Sequence, residues 1–401
     1  MAARGRARTI ASTVFGAILR TPGVAAVYLA SVAGRLPAGA ISLVLILRTR
    51  EMTGSYAAGG AVAAASAIAA GIGGPLLGRL IDRRGQGLVL CASGAWFGIV
   101  LAAFAALPDG APLAVAIALA ALAGAAMPPL GACQRAIWSD LLAPRLRHGA
   151  YALDSVVFEL VYIAGPLLLV SAIGAWSLRA AVAAAALLGA AGSVAFAATR
   201  LSREWAPSAA ASGDRLGALR GPGVRTVLAA LALFAVGIAG VEIAVAAFSE
   251  QEGSSRAVGV LLAFWGAGSM LGGLVFGHLP EPADPGRRLA ALLLALALLE
   301  IPLVLAGDLA TMGIAITVAG AAIAPGLSLA FRLLSEVAPP GTVTEAQTWV
   351  ATGFGAGMAG GSALGGWLVE HAGTRETLWV VVAVGALAAA VVHARVETLR
   401  V

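Results

Sequence analysis

Apolar residues fall along this chain in runs of about twenty, the length of helix needed to cross the hydrocarbon of a bilayer. Twelve such runs lie near 23–47, 55–77, 88–107, 112–137, 150–172, 177–198, 224–248, 257–277, 289–306, 309–331, 344–368 and 377–395. The polar separators carry turn chemistry: Pro108-Asp109-Gly110, Glu281-Pro282, Gly307-Asp308 and Pro339-Pro340-Gly341. The runs lack the period-two alternation of a membrane β-barrel. The pattern predicts an all-α membrane protein with twelve transmembrane helices.

Composition narrows the class. The chain has 401 residues, of which 60% are hydrophobic and 11% charged, with a mean hydropathy of +0.93. Soluble domains are about 45–50% apolar and about 25% charged, so a cytosolic enzyme, a secreted disulfide scaffold and a disordered chain are all excluded. Cys91 and Cys133 both sit in apolar runs, and His148, His278, His371 and His393 are dispersed among loops and helix ends. No metal site or cofactor is expected. No phosphate loop or Ser/His/Asp set appears either, so the chain does not read as an enzyme.

The net charge of +6 comes from 26 basic residues, all of them arginine. Arginine without lysine in an Ala/Gly-rich chain is the composition of a GC-rich bacterial genome and points to a bacterial inner membrane. The arginines stand singly or in pairs between apolar runs, with no basic stripe interleaved with aromatics, so a nucleic-acid partner is not expected. With the N-terminus inside, 19 arginines fall on the cytoplasmic side, and only Arg48, Arg50, Arg179, Arg256 and Arg375 fall outside. That bias places both termini in the cytoplasm. Arg4, Arg6 and Arg8 precede a full-length span without a small-residue cleavage site, so the first helix is expected to be retained.

The chain also repeats itself. Pro22-Gly23-Val24 recurs as Pro222-Gly223-Val224, and the Gly73–Gly78 segment recurs at Gly272–Gly277. Ala123–Ala126 with Pro129, Ser139 and Asp140 recurs as Ala319–Ala322 with Pro325, Ser335 and Glu336. The offsets are 200, 199 and 196, so two halves of six helices run in the same orientation. The expected domains are 1–198 and 224–401, joined by a cytoplasmic linker at 199–223 whose Ser208–Asp214 stretch is small and polar.

The loop after span 2 reads Gly78-Arg79-Leu80-Ile81-Asp82-Arg83-Arg84-Gly85-Gln86. It resembles the loop 2–3 signature of the major facilitator superfamily, with Gln86 where that family usually has a basic residue. From the residues, Gly78 permits close helix approach and Gly85 the turn into span 3. The resemblance implies two six-helix bundles and a conformational switch in which Asp82 meets the start of span 11 near Gly341–Thr344, with Arg83 or Arg84 pairing with Asp140. It further implies that spans 1, 4, 7 and 10 line a central cavity, with Tyr28, Ser31, Gln134, Phe234, Ser328 and Phe331 as substrate contacts. Gly165-Pro166 in span 5 and Arg135 in span 4 partly resemble the drug/proton antiporter branch, which suggests export.

Charges inside spans are costly, at least about 2.5–3.5 kcal/mol each near the centre, and so are functional candidates. Arg35, beside Pro37, lies about 20 Å into span 1 and Glu159 about 14 Å into span 5, so the two are expected to pair near mid-depth. Arg135 and Asp154 are expected to pair closer to the cytoplasm. Glu300, beside Pro302 in span 9, has no cation in its half. The resulting expectation is a monomeric secondary transporter that exports a small organic molecule against protons, with Glu159 the protonation site. An importer or facilitator on the same fold and a non-transporting receptor remain open alternatives.

Overall fold

A computed structural model describes residues 14–207, 216–254 and 257–400. Arg4, Arg6, Arg8, Arg256 and the Ser208–Asp214 stretch of the linker lie outside the described residues. Every regular element among the described residues is helical. In chain order the long helices are α1 (Val24–Thr53), α2 (Tyr56–Arg84), α3 (Gln86–Ala105), α4 (Leu113–Leu141), α5 (Pro144–Ala175), α6 (Leu178–Ala198), α7 (Pro222–Gln251), α8 (Ala257–Phe276), α9 (Pro285–Val304), α10 (Leu309–Val337), α11 (Val343–His371) and α12 (Thr374–Ala394). Among the described residues ten of these are long and apolar enough to cross a membrane. The other two are α9, which carries Arg287, Arg288 and Glu300, and α11, which is diluted by glycine and threonine.

Local chemistry sets the helix ends. Ser55, Ser177 and Asp284 each accept a backbone N–H of the first turn, while Asp308 and Thr311 form a reciprocal capping box. Pro144, Pro222 and Pro285 occupy first-turn positions where no N–H is needed. Gly85 turns α2 into α3 at a φ of 88°, a conformation that an L side chain resists.

Two helices are interrupted at corresponding places in the repeat. In α4 the regular helix stops at Ala125 and resumes at Leu130, where Pro128 and Pro129 cannot donate to the ladder. In α10 it stops at Gly320 and resumes at Ile323. The packing repeats too: the backbone at Gly73 in α2 lies against Ala125, and that at Gly272 in α8 lies against Ala321. A Cβ at either glycine would collide with the facing carbonyl, so close helix approach requires glycine there.

The helices extend past their apolar runs, and this corrects one expectation. Arg48 and Arg50 lie in the last turns of α1 rather than in a loop. Arg48 is fully buried and holds Glu51 at 2.9 Å, Asp109 at 3.2 Å and the Leu107 carbonyl. Asp109 also binds Arg179 at 2.9 Å, so one exposed carboxylate ties together α1, the α3–α4 loop and α6. The two guanidiniums hold its carboxyl below the usual range. The folded chain therefore prefers the ionised form. The resulting stabilisation is complete above the ordinary carboxylate pKa near 4 and fades as pH falls through the lower folded value. Asp109→Asn should remove this component of acid sensitivity, visible as a flatter acid limb in thermal unfolding against pH.

The linker is more structured than its composition suggests. Arg200–Glu204 is a short helix, and the Trp205 that follows it is buried and donates its Nε1–H to Asp140 at 2.8 Å.

Candidate functional site

Charged and polar groups from both halves of the repeat gather at one face of the molecule, where odd-numbered helices begin and even-numbered ones end. At the foot of α2, Asp82 accepts the Thr344 N–H at 3.0 Å and the Glu345 N–H at 2.8 Å, the first-turn donors of α11. An unsatisfied helix N-terminus with its positive dipole end is a natural seat for a carboxylate. Gly78 makes the approach possible, since a Cβ there would stand 2.6 Å from Thr348 Oγ1. Arg79 adds a two-pronged bond to Glu345, at 2.6 and 3.1 Å. Nearby, His148 of α5 donates to the Phe276 carbonyl of α8 at 3.0 Å, and Phe15 packs its ring on His278. We refer to this set as the latch and to its side of the molecule as the latch face.

The pairing expected between Arg83 or Arg84 and Asp140 is not formed. The carboxylate of Asp140 accepts from Trp205 and Ser139. In the sequence the linker shows only the composition of a tether, so nothing there marks its tryptophan as a donor.

Deeper in, three ionised side chains meet. Asp154 of α5 binds Arg35 of α1 through one oxygen and Arg135 of α4 through the other, both at 2.8 Å, and Gln134 donates to it at 2.9 Å. Arg135 also donates to Gln347 of α11 at 2.7 Å and lies over the Phe331 ring of α10 at 4.1 Å. Gln347 passes its own N–H groups to the Phe331 carbonyl and to Ser335, which in turn accepts from Tyr151 at 2.8 Å. One network thus runs from α1 through α4 and α5 to α10 and α11. Gln347, Ser335 and Tyr151 do not stand out in the sequence; neutral polar residues near helix ends carry no signal without their partners.

The expected Arg35–Glu159 pair is overturned for two geometric reasons. Helix α5 starts at Pro144 rather than near 150, and α1 at Val24, which puts Asp154 about 15 Å in, level with Arg35 at about 16 Å, and moves Glu159 to about 22 Å. Five residues also rotate a helix by about 140°, so Glu159 leaves on another face. There it accepts from Ser269 of α8 at 3.0 Å. Glu300 stands apart from both, buried on α9 beside Gly385 of α12, with no bonded partner among the described residues.

The six substrate candidates are all buried. Tyr28 spends its hydroxyl on the Ala150 carbonyl and packs its ring on Trp138, Gln134 serves Asp154, and Ser31 has no partner for its hydroxyl among the described residues. Phe331 and Phe234 belong to an aromatic series of which the sequence reading contains only these two. Phe158 touches Tyr162, Phe331 and Phe354, and Phe354 touches Phe234. Ser328 lies one turn before Phe331 and Arg332 on α10. Arg332 itself binds Glu281 and Glu336 at the latch face.

Residues 24–318 match the family model of the Major Facilitator Superfamily. The chain belongs to that superfamily. It is a multi-pass membrane protein of a transporter family, and its fold is shared with solved superfamily members. The human organic anion transporter MFSD10 (TETRAN) superposes with a TM-score of 0.74 at 18% identity, covering 93% of this chain and 100% of that one. A bacterial homologue of the iron transporter ferroportin, in an outward-facing state, gives 0.71 at 15% identity, covering 93% and 99%. The Escherichia coli fucose:proton symporter FucP gives 0.70 at 14% identity, covering 96% and 100%. No curated protein matches this chain at the level of sequence.

Proposed function

We propose that this superfamily member is a secondary active transporter of a small organic molecule, working by alternating access between two six-helix bundles, α1–α6 and α7–α12, that together span the membrane twelve times. The observation that carries this reading is the distribution of bonds between the halves. Asp82, Arg79, Arg135, Tyr151 and His148 all reach across at the latch face or just above it. The bonds nearest mid-depth are Glu159–Ser269 and Thr352 to the Gly71 carbonyl. Side chains beyond them on α5, such as Tyr162 and Leu167, are exposed. Halves whose hydrogen bonds to each other, among the described residues, gather toward one end are poised to rock about a central site. With both termini cytoplasmic, as the arginine bias requires, the latched state faces outward. The ferroportin homologue with the same fold was likewise solved facing outward.

Proton coupling is assigned to Glu159. Asp154 is held by two guanidiniums, whereas Glu159 bridges the halves through one hydroxyl, a bond that must break when the bundles rock. Export is favoured by the partial resemblance of Gly165-Pro166 in α5 to the drug/proton antiporter branch; Gly165 lets α5 lie directly against Gly39 and the Leu36 carbonyl of α1. Two solved neighbours are proton symporters of sugars, so import is the second reading. Flux in everted vesicles under an imposed proton gradient decides the direction. Glu159→Gln should abolish gradient-driven flux while leaving substrate exchange measurable; uphill transport by that variant would remove Glu159 from the coupling role.

A further inference from the structure

We propose that the transported molecule is an organic anion with an aromatic or broad apolar body. Its anionic group is received between Arg35 and Arg135 at the break in α4, and its body lies on the Tyr162–Phe158–Phe354 surface. This rests on the reading of the chain as a carrier and adds the class of its cargo.

The charge balance of the central cluster comes first. Two guanidiniums share one carboxylate, and both oxygens of Asp154 are taken. The other carboxylates at comparable depth are turned elsewhere, Glu159 to α8 and Glu300 to the α9–α12 contact. The cluster therefore carries one net positive charge at a depth where an unbalanced charge is expensive. Arg35 spends one of its five N–H donors on Asp154, and its guanidinium keeps a partly exposed edge.

A second observation gives that charge a place to be used. Gly131 lies between the two arginines: a Cβ there would stand 3.3 Å from Arg35 Cζ and 3.4 Å from Arg135 Nη1. The missing side chain leaves a small cradle walled by two cations. Gly131 is also the second residue of the resumed segment Leu130–Leu141, so the positive end of a half-helix opens on the same spot. Half-helix N-termini at a break of this kind are a recurrent seat for anionic substrate groups in carriers.

The body of the cargo is read from the aromatic series. Arg135 stacks on Phe331, Phe331 faces Phe158, and Phe158 leads to the half-exposed Tyr162 and to Phe354 of the opposite half. Aromatic rings offer large, rigid apolar contact at low entropic cost. Because Phe158 and Phe354 belong to different halves, a ligand lying on both would sense their rocking.

The test measures equilibrium binding to the purified full-length chain in detergent, by calorimetry, with three matched probes: 2-naphthoate, the neutral 2-naphthamide and the cationic 2-naphthylmethylammonium. The carboxylate should bind saturably and about tenfold or more tighter than the amide, the margin expected for a hydrogen bond to a charged group, and the cation should bind weakest. Gly131→Ala, which fills the cradle with one methyl group, and Arg35→Gln should each weaken naphthoate by a similar factor while leaving naphthamide unchanged. Phe158→Ala should weaken both. Equal binding of acid and amide, preference for the cation, absence of saturable naphthoate binding, or indifference of naphthoate to Gly131→Ala would each overturn the proposal. Binding is read without a membrane or a gradient, so these failures leave alternating access standing, and a failure of flux leaves the anion site standing.

Discussion

Replacing Asp154 with asparagine should lower the unfolding temperature of the purified protein more than any other single change in the central cluster. The substitution keeps shape but removes the one carboxylate that, among the described residues, is bonded to Arg35 and Arg135, leaving two largely buried guanidiniums side by side. Breaking a buried ion pair by removing one partner costs about 3–5 kcal/mol, and folded proteins commonly have only about 5–15 kcal/mol in reserve. The double variant Asp154→Asn with Arg35→Gln should recover part of the loss, because it returns the cluster to the one net positive charge it carries in the parent. Near-additive losses in that cycle would mean that the carboxylate and the arginine do not act together. An Asp154→Asn protein as heat-resistant as its parent would remove the cluster from the account of how α1, α4 and α5 are held.

The second large effect belongs to Asp82. Asp82→Asn retains one acceptor but loses the negative charge and one of the two bonds to the α11 N-terminus. A hydrogen bond to a charged group is worth about 1.5–3 kcal/mol. A loss of about 2–3 kcal/mol confined to the latched state would change its ratio to the unlatched state roughly 30- to 150-fold. Arg79–Glu345 and Arg135–Gln347 remain, so the variant should still fold. Spin labels at Thr53 and Glu252 should then report the far face closing, while labels at Arg145 and His393 report the latch face opening. Distance distributions identical to those of the parent at both faces would show that Asp82 does not govern the equilibrium between states.

These two residues also show how unevenly the sequence can be read. Asp82 is legible because its neighbours Gly78, Arg79 and Gly85 form a local signature, and a carboxylate at the end of one helix seeks the start of another. Asp154 is legible as a buried charge, but depth alone assigns its partner Arg35 to Glu159. Matching charges by depth leaves out rotation about the helix axis, and a start misjudged by six residues moves every depth by about 9 Å. Asp140 fails differently: the linker reads as a tether, yet its Trp205 is the donor.

The sequence by itself determined the features that arise from chemistry repeated along the chain. Lengths of apolar run set how many helices form, arginine bias sets the expected sidedness, and the offset near 200 residues makes the two halves share the same breaks and the same glycine contacts. All of these are sums over many residues, so errors at single positions cancel. Only the tertiary structure decided which charge meets which, that two arginines share one aspartate, and that Gly131 leaves a gap between them. Those facts depend on the angular phase and axial register of four helices at once. A shift of one residue changes the answer, and no local pattern in the chain encodes it.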